Sequence, residues 1–222
     1  MAEKTEDDLL FKEIEDDLRQ DQLTKLFKDY GGYALAAAVA LVVGVAGHQG
    51  WQAWDAKTKR AGGERFAAAM ALAGKDNTEA AAKAFSAIAA DGQAGYAMLA
   101  RFQEARVLAG RGDAAGAAKA YRALADDGGL DPVYRALATI LGVVQELDAA
   151  NPDLKSIADR LQPLAAETSP WRWTAGEVTA LAAWRAGDAA KAKALLTALA
   201  NDRLGPSGVR ARAQEMLSIL GK

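Results

Sequence analysis

The chain has 222 residues and no cysteine, which excludes disulfides, thiolate metal sites and a cysteine nucleophile. It carries 27 Lys and Arg against 29 Asp and Glu, a formal net charge of −2. This near balance is a poor electrostatic match for nucleic acid, which requires clustered basic residues, so no nucleic-acid partner is expected.

The first 29 residues are strongly acidic. Residues 1–29 hold five Lys and Arg against ten Asp and Glu. We predict an acidic N-terminal tail here, which anionic lipid headgroups would repel. The sequence leaves open whether this tail docks on a partner or is disordered.

Residues 30–54 contain no charged residue and predict a transmembrane helix. The segment begins YGGYALAAAVALVVGVAG and ends HQGWQAW. A helix needs roughly 20 apolar residues to cross the hydrocarbon core of a bilayer. Tyr30 and Tyr33 at one end, with Trp51 and Trp54 at the other, match the aromatic belt of a membrane interface. A buried helix of a globular domain is the alternative, but such helices usually run shorter.

Two further features lie within this segment. Ala36, Ala40 and Gly44 form a stripe of small residues, which favours close packing of helices in lipid, although such a stripe also arises by chance where Ala is abundant. His48 is the only histidine. Because the segment offers it no acidic partner, a position near the membrane surface is preferred over a proton relay.

Residues 55–222 predict a helical-repeat domain. Apolar residues recur at spacings of three and four, and β-branched runs of period two are missing. Turn signals rich in Gly, Asp and Pro separate the helices, with Thr78 and Asp113 as predicted N-caps. The predicted helices are 55–73, 78–90, 94–109, 113–126, 131–148, 153–166, 170–186, 188–201 and 207–220.

These helices pair into repeats. KAFSAIAADG at Lys83–Gly92 matches KAYRALADDG at Lys119–Gly128, 36 positions later. GDAAGAAKAYRALADD at Gly112–Asp127 matches GDAAKAKALLTALAND at Gly187–Asp202, 75 positions later. A period near 37 falls among αα-hairpin solenoids. We therefore predict an all-α fold, with one transmembrane helix followed by about four hairpins and a capping helix. Chance similarity in an Ala-rich chain is the alternative.

The residues of the repeats resemble a known type of unit. Ala81 with Phe85 and Ala117 with Tyr121 resemble the second helix of a tetratricopeptide unit, and Leu195 takes the place of the aromatic residue in the last hairpin. With its acidic N-terminus, YGGY-type entry, WQAW-type exit and degenerate hairpins, the whole chain resembles the ancillary SecYEG translocon subunit family. This resemblance implies a single-pass protein of the bacterial inner membrane. Its N-terminus would be cytoplasmic and its repeat domain periplasmic, acting on secreted chains or in envelope biogenesis.

Candidate partner-binding residues lie in the repeat domain. Trp171 and Trp173 flank Arg172 at a helix start. Residues two apart point to different faces, so we expect one Trp in the core and the other exposed as an interface anchor. The alternative is that both pack against the neighbouring hairpin. Further candidates on the first helices of hairpins, which usually line the binding face of a solenoid, are Arg101, Arg106 and Arg135. For each of these alone, solvated surface is the alternative.

The sequence gives catalysis little support. It has no phosphate loop and no metal-ligand cluster, and Glu104 and Glu146 fit solvated helix faces. We expect no enzyme, cofactor, metal or small-molecule substrate. The favoured function is a membrane-anchored helical-repeat adaptor that binds protein partners, at the Sec translocon or in envelope biogenesis. The alternative is a structural accessory subunit of a large inner-membrane complex, held by its span and tail.

Overall fold

A computed structural model describes the backbone of residues 3–74 and 77–220. Side chains are described for residues 28, 30, 32 and 33, and from residue 35 onward within those ranges. The side chains of the acidic tail predicted at 1–29 therefore lie outside the described residues, except that of Lys28. The chain divides into two compact units, Met1–Lys59 and Arg60–Lys222.

Helix α1 spans Glu3–Ala73 without interruption. The sequence predicted a helix beginning at residue 55, but nothing there ends the one before it. The first proline of the chain is Pro132, and an isolated glycine in a helix costs only about 1 kcal/mol relative to alanine. Within the first unit, the apolar side chains from Leu35 to Val45 are exposed. Among the described residues, no helix combines the length and the apolar character that crossing a membrane requires, so the helix predicted at 30–54 is not confirmed as transmembrane.

The described part of the chain contains eight further α-helices and no strand, which confirms the all-α prediction. One predicted helix is shorter than expected. The helix predicted at 153–166 ends as an α-helix at Leu161 and continues as a 3-10 helix, Gln162–Ala165. Pro163 explains this change, because proline has no backbone N–H and its ring clashes with the preceding turn of an α-helix. The eight helices are α2 (Thr78–Asp91), α3 (Ala94–Gly110), α4 (Ala114–Ala125), α5 (Pro132–Leu147), α6 (Leu154–Leu161), α7 (Arg172–Arg185), α8 (Ala189–Asn201) and α9 (Ser207–Leu220).

The second helix of each hairpin begins at an Asn or Asp cap. Each cap side chain accepts a hydrogen bond from the backbone N–H three residues further on, which satisfies a donor that the helix leaves unpaired. Asp113 caps α4 as predicted. The N-cap of α2 is Asn77 instead of the predicted Thr78, which is already helical. The four caps are Asn77, Asp113, Asp153 and Asp188.

The same tight turn precedes two of these caps. Gly112 and Gly187 both have φ of 80°, a conformation that glycine adopts without steric cost. The aspartate after each glycine then donates its backbone N–H to a carbonyl near the end of the preceding helix. Asp113 donates to Leu108 at 3.0 Å, and Asp188 donates to Ala183 at 2.9 Å. The repeat read from the sequence thus recurs as one backbone structure, 75 positions apart.

The described residues of the second unit form four core clusters. Each joins one hairpin to the first helix of the next, as expected for a solenoid whose repeats contact only their neighbours. The largest cluster joins α5, α6 and α7 through Leu147, Ile157 and Val178. The others join the second-unit part of α1 with α2 and α3, α3 with α4 and α5, and α7 with α8 and α9.

Equivalent positions of the second helices fill these clusters. Phe85 and Tyr121 are buried, and their rings contact Phe66 and Phe102 with centroids 5.7 and 6.2 Å apart. In the last hairpin the equivalent residue is Leu196, which is fully buried, whereas Leu195 is half-buried. The sequence assignment of Leu195 to this position was wrong by one residue.

Helix α9 covers the open side of the last hairpin. Its Ala213 is buried against Ala180 and Leu196. Arg212 donates from Nε and Nη2 to the two oxygens of Glu177 on α7, at 2.6 and 2.7 Å. This two-bond ion pair and the apolar contact give α9 the place of the predicted capping helix.

Candidate functional site

A groove runs between α4 and α6, with α5 as its floor. Its volume is about 520 Å³, within the range of pockets that hold small ligands. The floor consists of small residues, Ala138, Thr139 and Gly142. We call it the arginine groove, because three guanidinium groups line it, those of Arg122 on α4, Arg135 on α5 and Arg160 on α6.

Local sequence features position the helices of the arginine groove. Pro132 opens α5 at its first helical position, and the Asp131 side chain caps that helix by accepting from the N–H of Val133 at 2.8 Å. Gly142 lets α4 and α5 approach closely, since a Cβ atom there would lie 3.2 Å from the Cβ of Tyr121. A larger residue at 142 would push the floor away from α4.

Glu146 binds two of the three arginines. Its Oε1 accepts from Arg122 at 2.7 Å and from Arg160 at 3.1 Å, and its Oε2 accepts from Arg160. Burial alone would raise the pKa of Glu146, but the hydrogen bonds from Arg160 and Arg122 outweigh it, so its pKa lies below the ordinary value. With only 18% of its side chain exposed, Glu146 does not lie on the solvated face that the sequence suggested.

Arg135 differs from its two neighbours in the groove. Within the described part of the chain, it has no carboxylate within 4.0 Å. Its Nε atom is buried and has no hydrogen-bond partner there. A buried donor without an acceptor costs about 1–3 kcal/mol. The arginine groove therefore contains one cation without an ion pair in the described part of the chain, although its charge helps to lower the pKa of Asp127.

The groove continues beyond the ion pairs of Glu146. On their other side lies a cavity of about 490 Å³ that shares Arg122 and Glu146 with the arginine groove. It extends to the Gly112–Asp113 turn and to Pro152. The two cavities therefore adjoin at Arg122 and Glu146, whose side chains line both.

A second groove lies beside Trp173. It has a volume of about 540 Å³ and is lined by α7, α8 and the loops before α7 and after α8, including Leu204, which is 80% exposed. The Trp173 Nε1 donates to Asp202 at 2.7 Å, and the Arg172 guanidinium lies 3.5 Å from the centre of the Trp173 ring. The hydrogen bond from Trp173 holds the pKa of Asp202 below its ordinary value.

The two tryptophans do not divide into one buried and one exposed ring. Both are half-buried, which corrects the sequence expectation. Trp171 packs against the cluster of α5, α6 and α7, and its Nε1 donates to the carbonyl of Val133 at 3.0 Å. Trp173 lines the second groove. Trp171 therefore packs against the neighbouring hairpin, as the alternative interpretation held, whereas Trp173 binds Asp202 within its own hairpin.

Arg101 and Arg106 lie outside the arginine groove. Arg101 joins α3 to the end of α4 by donating to Asp127 at 2.5 Å and to the carbonyl of Ala123 at 3.2 Å. Arg106 is exposed and donates to Gln103 on its own helix at 2.7 Å. Of the three arginines proposed on first helices, Arg135 lines the arginine groove and the other two do not.

The candidate residues of the first unit are all exposed. The small residues of the predicted packing stripe, Ala36, Ala40 and Gly44, are exposed, and a Cβ atom at Gly44 would meet nothing within 4 Å. Of the predicted aromatic belt, Trp51 and Trp54 contact each other with centroids 5.5 Å apart. Tyr30 and Tyr33 are more than half exposed, at 64% and 77%.

Sequence reasoning missed Arg122, Glu146 and Arg160. They come from three different helices, so no local motif joins them. The available signal was the offset of repeat units, which places residues of neighbouring second helices on either side of one first helix. Among the described residues, no cluster of three or more His, Asp or Glu could hold a metal ion.

Paired helices stacked through shared clusters define a helical-repeat protein. The family model of the tetratricopeptide repeat-like domain matches residues 24–169, and the chain belongs to this family. Helices α7 to α9 extend the same architecture beyond the matched residues. No curated protein and no solved structure matches the chain. Repeats of this family generally mediate protein–protein interactions, which agrees with an adaptor.

Proposed function

We propose that this protein is a membrane-anchored helical-repeat adaptor that binds protein partners at the Sec translocon or in envelope biogenesis. The observation that carries the binding role is the arginine groove, where Arg135, which has no ion pair among the described residues, lies in a cavity of about 520 Å³ between repeats. The membership of the chain in the tetratricopeptide repeat-like family supports a protein partner over a small-molecule substrate. The translocon assignment rests on the resemblance of the whole sequence layout.

The membrane anchor is the segment 30–54. The absence of charge there, the aromatic residues at both ends and the exposed side chains from Leu35 to Val45 support this role. The proposed location is the bacterial inner membrane, with the N-terminus cytoplasmic and the repeats periplasmic. Reporter fusions at residue 5 and at the C-terminus test this topology, and a cytoplasmic C-terminus would exclude it.

A second candidate function has its own support. Exposed Val39, Val42 and Val43 give the first unit an apolar surface of its own, which favours a structural accessory subunit held in a larger complex by its span. In that case, affinity would reside in the anchor and the repeats would contribute little.

Site-specific photocrosslinking in native membranes separates the two functions. One crosslinker replaces Ser156 in the arginine groove, and another replaces Val43 in the anchor. The adaptor predicts crosslinks to envelope or translocon proteins from position 156, identified by mass spectrometry. Crosslinks from position 43 alone would favour the accessory subunit.

A further inference from the structure

We infer that the arginine groove recognises an acidic segment of a partner protein, whose Glu or Asp carboxylate pairs with Arg135. This inference rests on the proposed adaptor function and names the chemistry of its partner. It starts from the unequal state of the three arginines. Arg122 and Arg160 share Glu146, whereas Arg135 has no carboxylate partner in the described part of the chain.

The charges of the groove favour an anion. Its lining contains three guanidinium groups against the carboxylates of Glu146 and Asp126. Glu146 is already bound by two arginines, and Asp126 is exposed at the rim with no ion pair among the described residues. An arginine that pairs with a carboxylate through two parallel hydrogen bonds forms one of the strongest polar contacts in proteins.

The unpaired guanidinium of Arg135 makes this pairing possible. None of its nitrogens donates a hydrogen bond among the described residues, and Nε is the one that is buried, so the two Nη atoms remain open to a ligand. Thr139 already donates to the carbonyl of Arg135 at 3.0 Å, so its hydroxyl is not an additional donor for the anion. Arg135 is thus the principal recognition residue, with Arg122 and Arg160 adding positive charge.

The remaining lining points to a peptide rather than a free ion. Pro163 and Leu164 form an apolar wall beside the guanidinium groups. A second cavity of about 490 Å³ adjoins the arginine groove at Arg122 and Glu146. A small anion would leave the apolar wall and this second cavity empty. An extended segment can place a carboxylate on Arg135 and small apolar neighbours along Pro163.

Binding of labelled peptides to the full-length protein in detergent micelles tests the inference. The probe is a fluorescein-labelled peptide of alternating Glu and Ala, compared with a peptide in which Gln replaces each Glu. We expect the Glu peptide to bind and Arg135→Gln to weaken it by about tenfold or more, since a hydrogen bond to a charged group is lost. Arg203→Gln removes the same charge from the exposed loop between α8 and α9, and should leave binding within about twofold.

A charge exchange keeps the test independent of folding defects. Arg135→Glu should abolish binding of the Glu peptide and permit binding of a peptide of alternating Lys and Ala. Equal binding of the Glu and Gln peptides, or equal losses from Arg135→Gln and Arg203→Gln, would overturn the inference. Displacement of the Glu peptide by inorganic phosphate at equal concentration would also overturn it, because the site would then hold any anion.

Photocrosslinking with the wild-type protein separates this inference from the adaptor function. Crosslinked partners at position 156, combined with no binding of the Glu peptide, would reject the acidic segment and leave the adaptor intact. Binding of the Glu peptide with no crosslinked partner would support the chemistry of the groove and count against the adaptor function.

Discussion

Arg101 and Asp127 join the two helices of one hairpin, and their counterparts Arg65 and Asp91 lie 36 positions earlier. In both hairpins, an arginine of the first helix reaches an aspartate at the end of the second, 26 residues further on. The hydrogen bond from Arg101 lowers the pKa of Asp127. In the last hairpin the same position is held by Asp202, which Trp173 binds through its indole N–H instead.

The two ion pairs should contribute unequally to stability. The side chain of Arg101 is 32% exposed and that of Arg65 is 50% exposed, so water screens the second pair more strongly. Arg101 also donates to the Ala123 carbonyl. We expect Arg101→Gln to lower the thermal unfolding midpoint more than Arg65→Gln does. Equal midpoints for the two variants, measured by circular dichroism, would contradict this ranking.

Truncations at Leu196 and Leu195 test the register of the last hairpin. Leu196 is fully buried, so Leu196→Ala should reduce the free energy of unfolding by about 2–5 kcal/mol. Leu195 is half-buried, and Leu195→Ala should cost less than half as much. Urea titrations of both variants measure the difference. The opposite order would restore the assignment of Leu195 to the core position.

Removal of α9 should promote association. Deleting Ser207–Leu220 uncovers Ala180 and Leu196 and leaves Glu177 without Arg212. Terminal repeats keep a solenoid soluble by covering its last apolar face. We expect aggregation of the truncated protein in light scattering. Arg212→Gln, which keeps the apolar contact, is the control and should remain monodisperse, so a monodisperse truncation would argue against a capping role.

Substitution of either tryptophan should lower the stability of the fold. Both rings are half-buried and donate to partners within the fold, so Trp171→Ala and Trp173→Ala should each cost less than the roughly 3–5 kcal/mol of a fully buried ring. Trp173→Phe keeps the ring but not the hydrogen bond to Asp202, and should cost less than the alanine variant. Chemical denaturation gives these values. A Trp173→Ala variant of wild-type stability with weakened partner capture would establish an interface anchor.

Acid should destabilise the protein partly through Glu146. Its pKa is lower in the folded protein than in the unfolded chain, so its contribution to stability is complete above the ordinary carboxylate range. That contribution declines as the pH falls below about 4 and through the folded pKa. Glu146→Gln should therefore be less stable at neutral pH and lose less stability on acidification. Parallel stability curves for wild type and variant between pH 7 and 3 would contradict this linkage.

The helices could be predicted from the sequence because their ends carry local chemistry. Glycine and aspartate at positions 112 and 113 specify a turn and a cap within two residues. The extent of α1 was harder to predict, because the residues near 55 neither favour nor exclude a helix start. The change to a 3-10 helix at Gln162 is caused by a local residue, Pro163. The helical spacing of the apolar residues in this segment nevertheless predicted one continuous α-helix.

The site could be predicted only in part. Arg135 was identified as a candidate because it falls on a first helix, and it lines the groove. Its surroundings could not be read from the sequence, since Arg122 and Glu146 are 24 residues apart and meet only once α4 packs on α5. The indole partners of Trp171 and Trp173 likewise depend on how neighbouring hairpins are placed.

Neighbouring core clusters of the second unit share a helix, so the clusters form a linear series in which each is coupled to the next. Helix α7 belongs to the clusters on both of its sides, whereas α9 belongs to one. Loss of α9 leaves the cluster of α5, α6 and α7 complete, but unfolding of α7 disrupts two clusters at once. Local unfolding should therefore begin at the terminal helices and stop at this central cluster, whose large residues Leu147, Ile157 and Leu161 are fully buried. The floor of the arginine groove lies on α5, which belongs to this central cluster. Ligand recognition can therefore persist while the terminal helix α9 frays.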